Sequence, residues 1–220
     1  MKITKIETQK KDLKRYNIYV DGEFTLGVHE DVIVLMGLYV NQEIDKKTLD
    51  EMLIKEGFAK AKADAIKFIA YRMRCQKEVI DKLIKNGHDP SVVRRVLDFL
   101  KENALVNDLE FAKAFIHDKA TISRHPMSRI IYDLRKKGIH ETDIESAKHY
   151  YTSQDTDFDY ENALILSYKK YKQLYDKNKY TEYQLKQRVY QYMTQKGYNL
   201  YLVKDALEEA LSENPIVQAF

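Results

Sequence analysis

Three glycines close the same short pattern, and that repetition limits what the chain can fold into. Leu83-Ile-Lys-Asn-Gly87, Leu134-Arg-Lys-Lys-Gly138 and Met193-Thr-Gln-Lys-Gly197 each place an apolar residue four before the glycine. Val93, Ile144 and Val203 come six after it, and Val96, Ala147 and Ala206 nine after it. The glycines stand 51 residues apart (138 minus 87) and then 59 apart (197 minus 138). A shared offset at such a period marks one supersecondary unit used three times. An amphipathic helix ends, glycine takes the left-handed conformation that other residues resist, and a second helix starts at once. Asp89 and Asn199, two residues after their glycines, are good N-caps, and Pro90 suits the first helical turn. His140 is the weakest cap of the three.

Residues 1–28 follow a different rule. Tyr16-Asn-Ile-Tyr-Val20 and Phe24-Thr-Leu-Gly-Val28 flank Asp21-Gly22, a strong hairpin signal because both turn residues tolerate positive φ. Ile3 and Ile6 lie in a further β-like run, and Lys10 to Arg15 forms a polar connection. A two-stranded ribbon is marginal alone, so it must gain a third strand, a helix or a partner. A short helix is expected over 29–38, halted near Gly37, and another from about Asp45, with Leu49, Met52 and Leu53 on one face.

The repeats then read as three-helix units. In the first, Ile66, Ile69, Ala70 and Met73 form one stripe, Val79, Ile80, Leu83 and Ile84 the next, and Val92 to Leu100 the third. Cys75-Gln-Lys-Glu78 has the outline of a capping box with a thiol where a hydroxyl belongs, so its cap is expected to be weak. The second unit opens at Asn107-Asp108 and places Pro126 at a helix N1. Thr181-Glu-Tyr-Gln184 is a full capping box in the third. Thr152 to Asp159 reads as the joint between the second and third units, and Pro215 as the end of order. The expected architecture is mostly α: tandem three-helix repeats forming an elongated, curved solenoid, with a small N-terminal β-hairpin and helix element. Its parts are 1–58, 59–106, 107–156 and 157–214.

Net charge is only +3, but it is unevenly spread. Residues 60–139 hold 18 Lys/Arg against 10 Asp/Glu, and 160–204 hold nine against three. Between them, 140–159 hold one lysine against six acids. Two basic blocks around an acidic joint either form a discontinuous track for phosphate or are ordinary solvated helix faces. Twelve of the 17 tyrosines lie between Tyr150 and Tyr201, interleaved with lysines. Stacking on bases and helix packing both suit that pattern.

Catalytic patterns are lacking: there is no glycine-rich phosphate loop, no His-Glu-x-x-His and no nucleophile elbow. His88-Asp89 and His117-Asp118 are adjacent pairs, which point apart on a helix and make poor metal sites. Cys75, the single cysteine, has no evident base and reads as structural. No apolar run approaches the ~18 residues of a membrane span, and the first residues lack a signal-peptide pattern, so a cytoplasmic protein is expected. No cofactor is expected.

The chain resembles the RecX regulatory proteins of bacteria. The resemblance is carried by Tyr71-Arg-Met-Arg-Cys-Gln-Lys-Glu78, by Leu105-Val-Asn-Asp-Leu-Glu-Phe-Ala112 and by His125-Pro-Met-Ser-Arg-Ile-Ile-Tyr-Asp-Leu-Arg-Lys-Lys-Gly-Ile139. The hairpin followed by His29-Glu-Asp-Val is similar to the longer Firmicutes versions. Two residues depart from the pattern: Cys75 stands where the family usually has Ser, and His125 where it usually has Gly before the proline. The resemblance implies a non-enzymatic modulator, usually an inhibitor, of the RecA recombinase. Its members lie along the groove of the RecA–single-stranded DNA filament and lower strand exchange, ATP hydrolysis and SOS coprotease activity in DNA repair. It implies RecA and single-stranded DNA, direct or through the filament, as partners of a monomer. Arg72, Arg74, Arg129, Arg135, Lys136, Lys137, Lys169 and Lys170 are the expected filament- and nucleic-acid-binding residues. The competing reading is a helical-repeat adaptor that binds another protein without nucleic acid. An unrecognised hydrolase is a third class.

Overall fold

The structure, a computed structural model, describes residues 1–153 and 158–212. It divides into two compact units, the first running from Met1 to Asn107 and the second beginning at Asp108. Residues 154–157 of the expected joint at 152–159 lie outside the described residues, as does Pro215.

The first unit opens with an antiparallel meander of β1 (Ile3–Thr8), β2 (Arg15–Val20) and β3 (Glu23–His29). Asp21 and Gly22 turn the hairpin with φ of 50° and 91°, the left-handed pair that Asp-Gly supports. Strand alternation puts Ile18 and Val20 on the same face as Leu26 and Val28, with Ile18 paired to Leu26 across the ladder. That face closes over Val32 of α1 (Glu30–Met36) and Met52 of α2 (Lys46–Tyr71). The hairpin therefore gains both a third strand and a helix. Glu56 of α2 ties the layers together: it accepts from Arg15 at 2.6 Å and from the His29 backbone N–H at 2.7 Å.

Helix α2 is continuous for 26 residues and runs through position 58, so one helix serves both the sheet and the first three-helix bundle. Its buried face differs from the expected one. Ala61 and Ala65 are fully buried, whereas Ile66 is exposed, and Met73 lies past the helix end and is exposed as well. Small alanines let α3 (Gln76–Lys85) and α4 (Pro90–Glu102) approach closely, and the larger residues fall outside that seam. Val79 and Leu83 are buried but Ile84 is exposed, because successive helical residues lie about 100° apart and the face is narrow. Leu53 is likewise exposed beside buried Met52. Cys75 is the buried N-cap of α3, and its thiol makes no capping hydrogen bond.

In the second unit, α5 (Asp108–Thr121), α6 (Met127–Lys136) and α7 (Glu141–Thr152) bury Phe111, Ile116, Ile130, Leu134 and Ile144. Pro126 is the N-cap of α6 and not its first helical residue. The left-handed residue of the preceding loop is Arg124, with φ of 49°, so His125 does not need a glycine's freedom. A third bundle follows: α8 (Phe158–Tyr175), α9 (Glu182–Lys196) and α10 (Leu200–Leu211), around Leu185, Val189, Met193, Val203 and Leu207. Both halves of the Thr181–Gln184 capping box are made. Gly197 ends α9 at φ 99°.

Most of the late tyrosines are packing residues. Tyr198 and Tyr151 are buried, and Tyr160, Tyr168, Tyr171, Tyr180, Tyr190 and Tyr192 pack on the third bundle's core. Tyr150, Tyr175, Tyr183 and Tyr201 are exposed.

Candidate nucleic-acid interface

The cations expected to bind do not share one environment. Arg72 follows the last residue of α2, where its guanidinium holds Glu78 through two bonds of 3.1 and 3.2 Å. Arg74 lies over the Phe68 ring at 4.0 Å, and its Nε is enclosed with no hydrogen-bond partner among the described residues. Both arginines thus serve the corner between α2 and α3. His88, adjacent in sequence to Asp89, faces Asp64 of α2 at 2.8 Å. Asp89 caps α4. Among the described residues no three metal-ligating side chains cluster.

In the second unit, Arg135 forms a two-pronged pair with Glu141 at 2.5 and 2.9 Å. Hydrogen bonding to Arg135 holds the Glu141 carboxyl below its ordinary range, and Glu141 in turn raises the guanidinium. Lys137 leans over Phe111 and Phe115 of α5 at 5.5 and 5.6 Å. Lys136 and Arg129 turn instead to Tyr132, a half-exposed ring on their own helix. Arg129 also bonds Asp133 at 3.4 Å.

Adjacent lysines on α8 go different ways, as the ~100° step per residue requires. Lys170 reaches the Tyr192 ring of α9. Lys169 lines a groove of about 740 Å³ with Ile122, Arg124, Ile165, Lys172 and Asp176. The floor between the two bundles is built from polar bonds. Arg124 donates to Asn162 Oδ1 at 2.7 Å, Asn162 donates to the Ala120 carbonyl at 2.9 Å, and the Tyr198 hydroxyl donates to the Arg124 carbonyl at 2.8 Å. Burial first, and then Asp159, raise the Tyr198 hydroxyl's pKa, which keeps it a donor. Asp159 accepts from the Met127 backbone N–H at 2.9 Å, so α8 supplies the acceptor at the start of α6.

The same junction gathers positive charge. Burial, followed by Lys196 and Lys119, lowers the His125 imidazole's pKa, with Arg129 adding to it and Asp133 opposing. Reading the sequence passed over Tyr132 and Lys196. The spacing Arg129, Tyr132, Lys136 was the available signal for the first, since residues three and four apart share a helix face.

Comparison with known proteins supplies the lineage. The description "Regulatory protein RecX N-terminal domain" matches residues 1–45, the first RecX three-helix domain matches 61–100 and the second matches 107–147. A "Regulatory protein RecX" of Clostridium tetani is 32% identical over 210 residues, covering 96% of this chain and 94% of its own. One from Clostridium botulinum (strain Alaska E43) is 30% identical over 211 residues, covering 96% and 97%. A crystal structure described as regulatory protein RecX superposes with a TM-score of 0.71 at 29% identity, covering 93% of this chain and 98% of that one. RecX from Lactobacillus salivarius, at 21% identity, shares the fold with a TM-score of 0.60 over 71% of this chain and 97% of its own.

Proposed function

The chain belongs to the RecX family of regulatory proteins, and from that premise we propose that it restrains a recombinase filament and performs no chemistry of its own. The partner is RecA assembled on single-stranded DNA. Seated along that filament's groove in the cytoplasm as a monomer, the chain lowers strand exchange, ATP hydrolysis and the coprotease activity behind the SOS response. Recombination and DNA repair are thereby held in check. The ATPase belongs to the partner. The observation that carries this reading is the ordered match of the N-terminal domain and two three-helix domains, on a chain covered over 96% by regulatory relatives.

Charge gives the reading its physical support. Arg129, Lys136, Lys137, Lys169 and Lys170 lie on helices of the second unit, where each phosphate neutralised releases counterions. Arg72 and Arg135 are each held by two bonds to a carboxylate, and Arg74 lies over Phe68 with its Nε enclosed, so they contribute less. The test is association with RecA-coated single-stranded DNA at rising salt. Binding should fall with a log–log slope of about 0.7 for each phosphate contact.

An adaptor that grips protein alone is the second reading, favoured by Val34 and Leu35, which α1 exposes by 81% and 69%. Apolar docking of that kind predicts association that changes little with salt, and that result would displace the filament reading.

A further inference from the structure

Two tyrosines of the second unit each lie between two cations, Tyr132 exposed and Tyr192 partly buried against the third bundle's core. Tyr132 has Lys136 Nζ 4.6 Å and the Arg129 guanidinium 5.8 Å from its ring centre. These neighbours are three residues before and four after it, so all three share one face of α6. Tyr192 has Lys196 Nζ at 5.6 Å, one turn along α9, and Lys170 Nζ at 5.0 Å, reaching over from α8.

The two clusters also touch. A β-carbon at Gly197 would stand 3.4 Å from Arg129 Cβ and 3.5 Å from Pro126 Cγ, so the end of α9 rests on the start of α6. Lys196 is the residue just before that contact. The two clusters therefore adjoin where the second bundle meets the third, and together they make one row of cations and rings.

We propose that this row is a direct binding track for single-stranded nucleic acid, with Tyr132 and Tyr192 stacking on bases and the four cations holding phosphates. It deepens the filament reading, and rests on it only for the source of the strand. The chemistry selects that ligand. A single strand offers flat base faces and a repeating anionic backbone, whereas a duplex hides the faces. An acidic peptide would satisfy the cations and leave the rings unused.

The resting contacts do not block the site. An exposed cation–ring contact contributes a factor of about two to five. Stacking of one base contributes about five- to a hundredfold, enough to offset those ring contacts. Arg129 also holds Asp133 at 3.4 Å and Lys170 also donates to Gln173 at 3.0 Å, both exposed bonds that a phosphate replaces. Tyr132 is 49% exposed, so the ring is within reach. His125 adjoins the same cations: burial is the main cause of its lowered imidazole pKa, and Lys196, Lys119 and Arg129 add to it, against Asp133.

The experiment uses the full chain, a labelled oligothymidylate and an abasic sugar–phosphate strand of the same length, at low salt, read by fluorescence anisotropy. The parent should bind the oligothymidylate about tenfold or more tighter than the abasic strand. Tyr132→Leu should cut that preference about fivefold or more while retaining abasic binding, and Tyr132→Phe should restore it. Tyr192 packs against the core, so Tyr192→Leu is read only beside Tyr192→Phe and a melting curve. Equal affinity of the parent for both strands, or a preference undiminished by Tyr132→Leu, overturns the track. Loss of all DNA binding in a parent that still inhibits RecA overturns the track and leaves the filament reading standing. DNA binding with no effect on RecA does the reverse.

Discussion

Arginines of the first unit and cations of the second illustrate two uses of the same chemistry. Arg15 pairs with Glu56, Arg72 with Glu78, Arg74 lies over Phe68 and Arg95 over Phe58, each joining one element of the first unit to another. In the second unit Arg129, Lys136, Lys170 and Lys196 surround two tyrosine rings at or near the surface. A guanidinium clamped by a carboxylate, as Arg72 is through two bonds, must break them before it meets a phosphate, whereas Arg129 has a single long bond of 3.4 Å to Asp133. An ammonium resting on an exposed ring gives up little. Position within the packing therefore decides more than the count of charges does.

The comparison can be broken by charge reversal. Lys136→Glu with Lys170→Glu should weaken binding to single-stranded DNA by about a hundredfold, roughly 2.7 kcal/mol, since two phosphate contacts become repulsions. Arg72→Glu should cost far less. Equal losses measured by anisotropy would erase the distinction between the units.

The second unit's polar joint gives the next largest effect. Asn162 is buried and bonded to both Arg124 and the Ala120 carbonyl, so Asn162→Ala leaves two partners unsatisfied. Urea unfolding should show about 1–3 kcal/mol of destabilisation. By contrast Arg72→Ala, which removes an ion pair whose arginine side chain is 47% exposed, should cost under about 1 kcal/mol.

The smallest effect separates the units by pH. The His125 imidazole titrates below its ordinary value when folded, so the unfolded chain binds the proton first as pH falls. Its contribution is full above the ordinary histidine range and is lost as pH drops through that range toward the folded value. In the first unit, Asp64 is desolvated, which raises its carboxyl, but hydrogen bonds from His88 and Asn86 lower it by more. That contribution is present above the ordinary aspartate range and fades only below it. Melting between pH 7 and 5 should therefore show a shallow loss that His125→Gln removes.

Local signals made much of the fold readable in advance. The turn at Asp21-Gly22, the left-handed Gly87, Gly138 and Gly197 and the capping box at Thr181 are each set within a few residues, and all take the expected form. Burial was harder to read. Ala61 and Ala65 line the seam of α2 in preference to Ile66, because close helix approach rewards small side chains that a hydrophobicity stripe undervalues. The site was harder still. Arg72–Glu78 and Arg135–Glu141 are both six residues apart, bridging a helix end to the next helix, and the usual three- and four-residue spacings do not find them. Lys170–Tyr192 exists only once α8 packs on α9, and Arg129–Gly197 only once the second and third bundles meet.

RecA's ATPase activity on single-stranded DNA, titrated with the parent chain and with the Lys136→Glu, Lys170→Glu double variant, tests the account most directly. The parent should suppress hydrolysis in a dose-dependent way, and the folded double variant should need far more protein to do so. Hydrolysis untouched by the parent, or suppressed equally by both, would contradict it.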